Sequence, residues 1–290
     1  MKSILVTGSN GQLGNEIRRL AENFDLDFIF TDVSELDITD EAQVNTFIRD
    51  LKPEFVVNCA AYTAVEKAED DREFASLLNA KAPGFLAEYC AKYNVRMIHV
   101  STDYVFDGKN YKPYCEDDRV NPLSVYGKTK LEGEILVKLA LKNSMIVRTS
   151  WLYSSFGNNF VKTMIKLGKS KDKITVVSDQ IGTPTYAADL ASFIVDTINN
   201  TLNGTKEFVP GIFHYSNEGV CSWYDFAQEI MTLCNLPCTV LPIESKNYPV
   251  RVERPFYSVL NKAKIRDTFG VEVPYWKTSL VKCLKEITKE

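Results

Sequence analysis

Short apolar runs alternate along the chain with stretches in which apolar residues recur every three or four positions. The first pattern is typical of buried β-strands and the second of amphipathic helices. Regular alternation of the two favours a parallel sheet with helices on both faces, and so predicts an α/β fold with a Rossmann-like, doubly wound parallel sheet. Strands are predicted at residues 3–7, 27–31, 55–59, 95–100, 145–151, 173–177 and 239–243.

Helical patterns fill most of the segments between these runs. The strands up to residue 177 supply five or six parallel strands with crossover helices. The later residues, from 213–216 onward, are less regular and are expected to form a smaller C-terminal subdomain. Helices are predicted at residues 41–51, 66–93 with a break near Pro83, 159–169, 187–199, 222–234 and from 276 onward.

A glycine-rich turn, 8–14, lies between the first strand and the first helical pattern. Glycines permit positive φ and close approach of a ligand, and N–H groups at a helix start attract a pyrophosphate. The spacing is G-x-x-G-x-x-G, which differs from the commoner G-x-G-x-x-G. About 20 residues further on, Asp32 ends the second strand, where a carboxylate can accept a hydrogen bond from a ribose. A turn aspartate is the alternative; the pattern as a whole favours a nucleotide site.

Tyr126 and Lys130 are four residues apart at the start of a predicted helix, so they share one face. A free phenol has a pKa of about 10, and a nearby cation lowers it. Tyr126 is therefore a candidate general acid or base. Taken alone, the spacing favours an exposed surface helix over a catalytic pair.

Polar and small residues follow other predicted strands. Ser101, Thr102 and Asp103 end the fourth strand, and Ala60 and Ala61 follow the third. In an open parallel sheet the site lies outside the carboxyl ends of the strands, so these residues should reach the crevice of the glycine turn. Turn capping and a tight packing corner are the alternatives.

Composition excludes several kinds of partner. A net charge of -4 without a basic stripe excludes nucleic acid, and no apolar run approaches the roughly 20 residues that span a bilayer. With no signal-peptide pattern, we expect a cytoplasmic protein. Seven cysteines without a C-x-x-C are expected to be reduced thiols. The chain has two histidines, His99 and His214, which are too few for a histidine-rich metal site. His99 is expected in the core.

The chain resembles the extended short-chain dehydrogenase/reductase superfamily and, within it, the dTDP-4-dehydrorhamnose reductase family. The match covers nearly the whole length, and several blocks in one order are far more specific than a single motif. The blocks that carry the resemblance are residues 7–14, 101–108, 126–130, 148–151, 180–185 and 254–260.

The resemblance implies reduction of the 4-keto group of a dTDP-linked 6-deoxy sugar, giving dTDP-L-rhamnose. Tyr126 would donate the proton, Lys130 would bind the nicotinamide ribose and hold the phenol pKa down, and Thr102 would hydrogen-bond the keto oxygen. Asp103 and Trp151 match positions that contact the sugar nucleotide. Residues 1–150 would form the NAD(P)-binding core, and residues 151–290 the remaining core elements and a substrate-binding subdomain. The cofactor-binding residues are expected to be Gly8, Asn10, Gly11, Gln12, Leu13, Asp32, Asp37, Ile38, Ala60, Ala61, Thr63, Ser101, Tyr126 and Lys130.

The cofactor is expected to be NADH or NADPH. Family members often accept NADPH, but the carboxylate of Asp32 would repel a 2'-phosphate, so NADH is favoured. Some members bind magnesium across a dimer contact, and Glu16 falls near one ligand position. The other ligands have no match, so no metal ligand is assigned. The protein is expected to be a monomer or a homodimer.

Two other readings share many of these residues. A sugar-nucleotide epimerase or dehydratase would keep the glycine turn, Tyr126 and Lys130. Dehydratases carry a glutamate where this chain has Tyr104, which cannot do that acid work. Some relatives are non-catalytic regulatory subunits of methionine adenosyltransferase, and the intact Tyr126 and Lys130 favour activity over that role.

Overall fold

A computed structural model describes residues 2–249 and 251–289. The strands are β1 (Ser3–Thr7), β2 (Asp27–Thr31), β3 (Phe55–Asn58), β4 (Arg96–Thr102), β5 (Ser144–Thr149), β6 (Leu152–Tyr153), β7 (Lys173–Val177), β8 (Ile181–Gly182), β9 (Thr185–Tyr186), β10 (Gly211–His214), β11 (Cys221–Ser222) and β12 (Thr239–Ile243). The helices are α1 (Gln12–Ala21), α2 (Glu41–Leu51), α3 (Val65–Ala68), α4 (Arg72–Ser76), α5 (Ala82–Lys92), α6 (Val125–Ala140), α7 (Phe160–Ser170), α8 (Ala187–Leu202), α9 (Trp223–Leu233), α10 (Ala263–Phe269) and α11 (Trp276–Ile287).

Six strands form one parallel sheet in the order β10-β5-β4-β3-β1-β2. The chain winds from β1 outward to β2, then crosses to β3 on the other side of β1 and continues outward. The order therefore reverses between β1 and β3, and the loops after these two strands flank the switch point where such sheets bind ligands. The predicted α/β, Rossmann-like fold is confirmed.

Both faces of the sheet are covered because successive strand residues point to opposite sides. Ile4 and Val6 pack on one face beneath α1 and α8, and Leu5 packs on the other beneath α2, α5 and α6. Strands buried on both faces need continuous apolar runs, as in β3, whose four residues are all buried. His99, predicted in the core, is fully buried within β4.

The sixth strand of the main sheet is not the predicted one. Strand β7 pairs in parallel with β12 outside the main sheet, and β10 occupies the edge beside β5. The sequence of β7 alternates exposed and buried residues, as Lys173, Ile174 and Thr175 show, so the strand has one buried face only. It shares a second apolar core with α7, α9, β12 and α11.

The predicted break near Pro83 is also misplaced. Pro83 is the second residue of α5, and the residues directly before it keep helical backbone angles, so the helix does not break there. The helical region is interrupted earlier, at residues 69–71, and passes through a π-helical turn, Leu77–Lys81. Predicted strand ends shift slightly, since β3 ends at Asn58, β4 runs to Thr102 and β5 ends at Thr149.

Across residues 2–249 and 251–289, no helix has the length and hydropathy that crossing a membrane would need.

Candidate active site

The glycine turn occupies the switch point of the sheet. Gly8 has φ +66°, and a Cβ there would lie 2.6 Å from the backbone of Ala60, which follows β3. A Cβ on Gly14 would lie 2.5 Å from Cα of Ser9. Among the described residues no side chain caps the start of α1, where Gly11 is the N-cap. The turn thus lies close against the sheet and leaves N–H groups for an anion.

A cleft of about 380 Å³ opens on one side of this turn. The carboxylate of Asp32 stands at its edge and accepts hydrogen bonds from the backbone N–H groups of Asn10 (3.0 Å) and Val33 (2.9 Å). Asp32 therefore ties the glycine turn to the end of β2 while facing the cleft. The lining residues are Gly8, Gly11, Asp32, Val33, Leu36, Asp37, Ile38, Thr39, Cys59, Ala60, Ala61, Phe74 and Leu78.

A second cleft, of about 520 Å³, lies on the other side of the turn. It shares Gly8, Gly11, Cys59 and Ala61 with the first, so the two form one groove across the carboxyl ends of the strands. Such an elongated groove fits a dinucleotide. The predicted residues that line the second cleft are Gly8, Gly11, Gln12, Leu13, Ala61, Thr63, Ser101, Thr102, Asp103, Tyr126, Lys130 and Trp151. Of all the predicted site residues, only Asn10 lines neither cleft.

Tyr126 lies in the first turn of α6, which Ser124 caps by accepting a hydrogen bond from the N–H of Gly127 (3.1 Å). The side chain is buried and faces the second cleft. Burial raises the pKa of Tyr126 to about 12, the Thr102 hydroxyl lowers it and the charge of Asp103 raises it further. Lys130 is not among the groups that shift it. That Lys130 lowers the phenol pKa stays a prediction.

Lys130 lies one turn along the same face of α6 and is also buried. Its Nζ donates a hydrogen bond to the carbonyl oxygen of Val100 (2.7 Å), which fixes the ammonium beneath the cleft. Burial lowers the pKa of Lys130 to about 8, and the charges of Glu134 and Cys59 oppose that shift.

Thr102 and Asp103 stand where β4 ends. The hydroxyl of Thr102 donates to the carboxylate of Asp103 (3.0 Å) and accepts from the N–H of Tyr104 (3.2 Å). Burial raises the pKa of Asp103 to about 6. Hydrogen bonds from the side chains of Ser258 and Thr102 oppose that rise.

Trp151 reaches the second cleft just after β5 with a φ of +48°, which a residue with a Cβ seldom adopts. Its ring stacks on that of Trp223, with centroids 3.5 Å apart and planes inclined by 9°. Trp223 is the first residue of α9 and lines the same cleft. The strand position predicted Trp151, but no local pattern indicated Trp223.

Several further cleft residues and one neighbouring cation were also missed. Tyr104 and Arg254 line the second cleft, although both fall in sequence blocks already singled out. Arg18 of α1 reaches the end of β2, where it donates to the Ser9 hydroxyl (3.1 Å) and covers the Phe30 ring (4.4 Å). The pKa of Glu35 is lowered chiefly by the hydrogen bond from Ser34, and the charge of Arg18 adds to that lowering. The helical spacing of Arg18 from Gly11 and Gly14 was the available signal.

Glu16 is paired with other groups of the same chain. It is fully buried, and its carboxylate accepts a hydrogen bond from Ser154 (2.6 Å) and pairs with Arg19 (2.6 Å). Arg19 also pairs with Glu286 (3.4 Å), so its guanidinium bridges the two carboxylates. Among residues 2–249 and 251–289, no group of three or more His, Cys, Asp or Glu side chains is placed to hold a metal.

Residues 1–289 match the family model described as RmlD substrate binding domain. A dTDP-4-dehydrorhamnose reductase from Aggregatibacter actinomycetemcomitans is 41% identical, over 97% of each chain. A crystal structure of a dTDP-4-dehydrorhamnose reductase from Clostridium acetobutylicum has a TM-score of 0.94 at 44% identity, over 99% of each chain. One from Bacillus anthracis, in complex with NADP, has a TM-score of 0.92 at 37% identity, over 99% of this chain and 100% of the other. By sequence and by fold, the chain belongs to the family of the dTDP-4-dehydrorhamnose reductases.

Proposed function

We propose that the chain reduces the 4-keto group of dTDP-4-dehydro-L-rhamnose to give dTDP-L-rhamnose, with a nicotinamide dinucleotide as reductant. The observation that carries the proposal is the continuous groove that joins the glycine turn to Tyr126, Lys130 and Thr102. The family supplies the substrate, since curated relatives that match almost the whole chain bear the name of this reductase.

The groove has the parts that a nicotinamide dinucleotide requires. Gly8 and Gly11 leave room against the backbone for a pyrophosphate, and Asp32 offers a carboxylate to a ribose hydroxyl. Ala60 and Ala61 form a wall without large side chains. Bound there, the nicotinamide supplies a hydride to the carbonyl carbon.

Tyr126 is the proton donor in this proposal. Reduction of a ketone places negative charge on the carbonyl oxygen, which needs a proton and hydrogen-bond donors beside it. Burial keeps the Tyr126 phenol protonated through the neutral range, because its pKa is raised to about 12. The Thr102 hydroxyl, which donates to Asp103 in this structure, turns to donate a second hydrogen bond to the same oxygen. Lys130 binds the nicotinamide ribose. Asp103 and Trp151 contact the sugar nucleotide.

NADH is the preferred cofactor in this proposal. Support comes from Asp32, whose carboxylate faces the cleft and would repel a 2'-phosphate but accept a hydrogen bond from a 2'-hydroxyl. Arg18 opposes this preference, because its guanidinium stands beside the same strand end. The cytoplasmic location, the choice between monomer and homodimer, and the assignment of the C-terminal part to substrate binding stay predictions.

The test is to supply dTDP-4-keto-6-deoxy-L-mannose with reduced cofactor, follow the loss of nicotinamide absorbance and identify the sugar formed. We expect stoichiometric cofactor oxidation and dTDP-L-rhamnose as the product. A correctly folded protein that binds NADH without turning over this substrate would contradict the proposal and favour a non-catalytic role. A different product sugar would place the chain with another sugar-nucleotide chemistry.

A further inference from the structure

A buried ion pair lies directly behind the catalytic helix. Glu134 and Arg148 each have side chains that are 3% exposed. Nε and Nη2 of Arg148 donate to the two carboxylate oxygens of Glu134, at 2.9 and 2.7 Å, which is the paired geometry of a strong charge-assisted contact. The hydroxyl of Ser101 donates to the same carboxylate (2.5 Å).

This contact fixes α6 against two strands at one point. Ser101 of β4 and Arg148 of β5 are cross-strand partners in the sheet, so both donors come from one rung of the ladder. Glu134 follows Tyr126 and Lys130 at intervals of four residues, and all three lie on the buried face of α6. One rotation of α6 about its axis therefore sets both contacts. It places Glu134 on Arg148, and it places Tyr126 and Lys130 at the cleft.

Glu134 also acts on Lys130 through charge. The titratable groups that face Lys130 are Glu134 from α6, Cys59 from the loop after β3 and His99 from β4. His99 and Cys59 are neutral at pH 7, because burial lowers the pKa of His99 and raises that of Cys59 to about 12. Glu134 is then the one anion among these groups that favours the ammonium form of Lys130.

We propose that Glu134, held by Arg148 and Ser101, is a positioning residue that sets the register of α6 and keeps Lys130 charged under the cleft. This proposal rests on the proposed function only for its effect on turnover. The binding of NADH through Lys130 is measured without any sugar. Failure of the reductase reaction can therefore be told apart from failure of this proposal.

The central variant combines Glu134→Gln with Arg148→Met. Either change alone leaves a buried charge without its partner, so a single variant can fail to fold. The double variant removes both charges and keeps an amide oxygen to accept from Ser101. We expect it to fold with an ordinary circular dichroism spectrum, to bind NADH more weakly and to lower kcat by about 10- to 100-fold, because a displaced catalytic group is costly.

The pH profile separates positioning from a merely structural role. Lys130 binds as the ammonium, so NADH affinity falls as the pH rises through its pKa of about 8. Glu134 raises that pKa. Its loss therefore moves the alkaline limb, which is the pH range in which NADH affinity falls, to lower pH. Glu134→Asp, which keeps the charge, should keep the limb near its wild-type position.

Lys262→Met with Glu218→Gln is the matched control. Lys262 is buried and the Glu218 side chain is 32% exposed, with Nζ of Lys262 3.5 Å from the Glu218 carboxylate. The pair lines neither cleft. We expect its NADH binding and pH limb to match wild type. A folded Glu134→Gln/Arg148→Met protein with wild-type kcat, or with an unmoved alkaline limb, would overturn the proposal.

Discussion

At the scale of single residues, burial sets the protonation state of the groups in the cleft. It raises the pKa of Tyr126 to about 12 and of Asp103 to about 6, and it lowers that of Lys130 to about 8. Each shift disfavours the charged form, as removal from water must. At neutral pH the phenol therefore holds its proton, which a proton donor needs, while Lys130 is still mainly charged.

Tyr126→Phe should slow reduction by about 10² to 10⁴, or roughly 3 to 5 kcal/mol in the barrier, because it deletes only the proton that meets the carbonyl oxygen. Folding and cofactor binding should be nearly unchanged. The measurements are kcat with the dTDP-4-keto sugar and NADH affinity by fluorescence. Tyr153→Phe is the control, since Tyr153 is also a buried tyrosine and lies in the second core. Near wild-type turnover in Tyr126→Phe would remove this residue from the mechanism.

The proposed preference for NADH depends on two charges at the end of β2, Asp32 and Arg18. Asp32→Ala removes a carboxylate that would repel the 2'-phosphate of NADPH and accept a hydrogen bond from the 2'-hydroxyl of NADH. The ratio of kcat/KM for the two cofactors should therefore shift from NADH toward NADPH. The lost charge-assisted bond is worth about 1.5 to 3 kcal/mol, or roughly 10- to 100-fold. Arg18→Ala should shift the ratio the other way, because it removes the neighbouring cation.

The assay compares kcat/KM for the two cofactors in wild type and both variants. A wild-type preference for NADPH, or an Asp32→Ala ratio equal to that of wild type, would mean that Asp32 does not read the ribose. Arg18 shows why sequence alone was insufficient here. Asp32 could be assigned from its place after β2, but the cation beside it comes from α1 and is brought there by packing on Phe30.

At the scale of elements, sequence patterns predicted the helices and strands whose bounds depend on residues close by in the chain. The bounds of β1, β2, α2, β7 and β12 agree with the structure, because periodicity and caps such as Asp40 act over a few residues. The course of residues 65–81 could not be predicted in this way. Its π-helical turn is held by Asn79, whose side chain bonds both backbone groups of Tyr62 (2.8 and 3.1 Å) and the hydroxyl of Thr129 (3.1 Å).

The contact between this turn and α6 gives a prediction about Gly133. A Cβ on Gly133 would overlap the carbonyl oxygen of Asn79, so Gly133→Ala must push α6 away from the turn. We expect a loss of about 1 to 3 kcal/mol in the free energy of unfolding, as for other overpacked sites, and a lower kcat because α6 carries Tyr126. Urea denaturation measures the first effect and the reductase assay the second.

Gly84→Ala is the matched control on α5. A Cβ there would lie 3.4 Å from Cβ of Leu136, which is near ordinary contact, and alanine is the better helix former. Its stability should stay within about 1 kcal/mol of wild type, with unchanged kcat. Equal stability of the two variants would show that α6 can move away from the turn without cost.

At the scale of the whole molecule, two apolar cores meet at the second cleft. Trp151 follows β5 of the main sheet, and Trp223 begins α9. The two rings stack on each other, and both pack against the second core. Which strands belong to which core could not be predicted locally, because the pairings of β10 with β5 and of β12 with β7 join residues more than 60 positions apart. The stacked tryptophans mark the place where the two parts jointly face the groove.

Trp223→Ala tests whether the C-terminal part takes part in substrate binding. Trp223 orders Trp151 by stacking at 3.5 Å, and an aromatic pair of this kind contributes about 0.5 to 1.5 kcal/mol beyond buried area. We therefore expect the KM for the sugar nucleotide to rise about tenfold, while the affinity for NADH, bound along the glycine turn, stays at the wild-type value. Trp276→Phe is the control, because Trp276 is buried within the second core and lines neither cleft. An unchanged KM in Trp223→Ala would contradict a substrate-binding role for the C-terminal part. An equal loss of NADH affinity would contradict it too, because a merely structural contact affects the binding of both ligands.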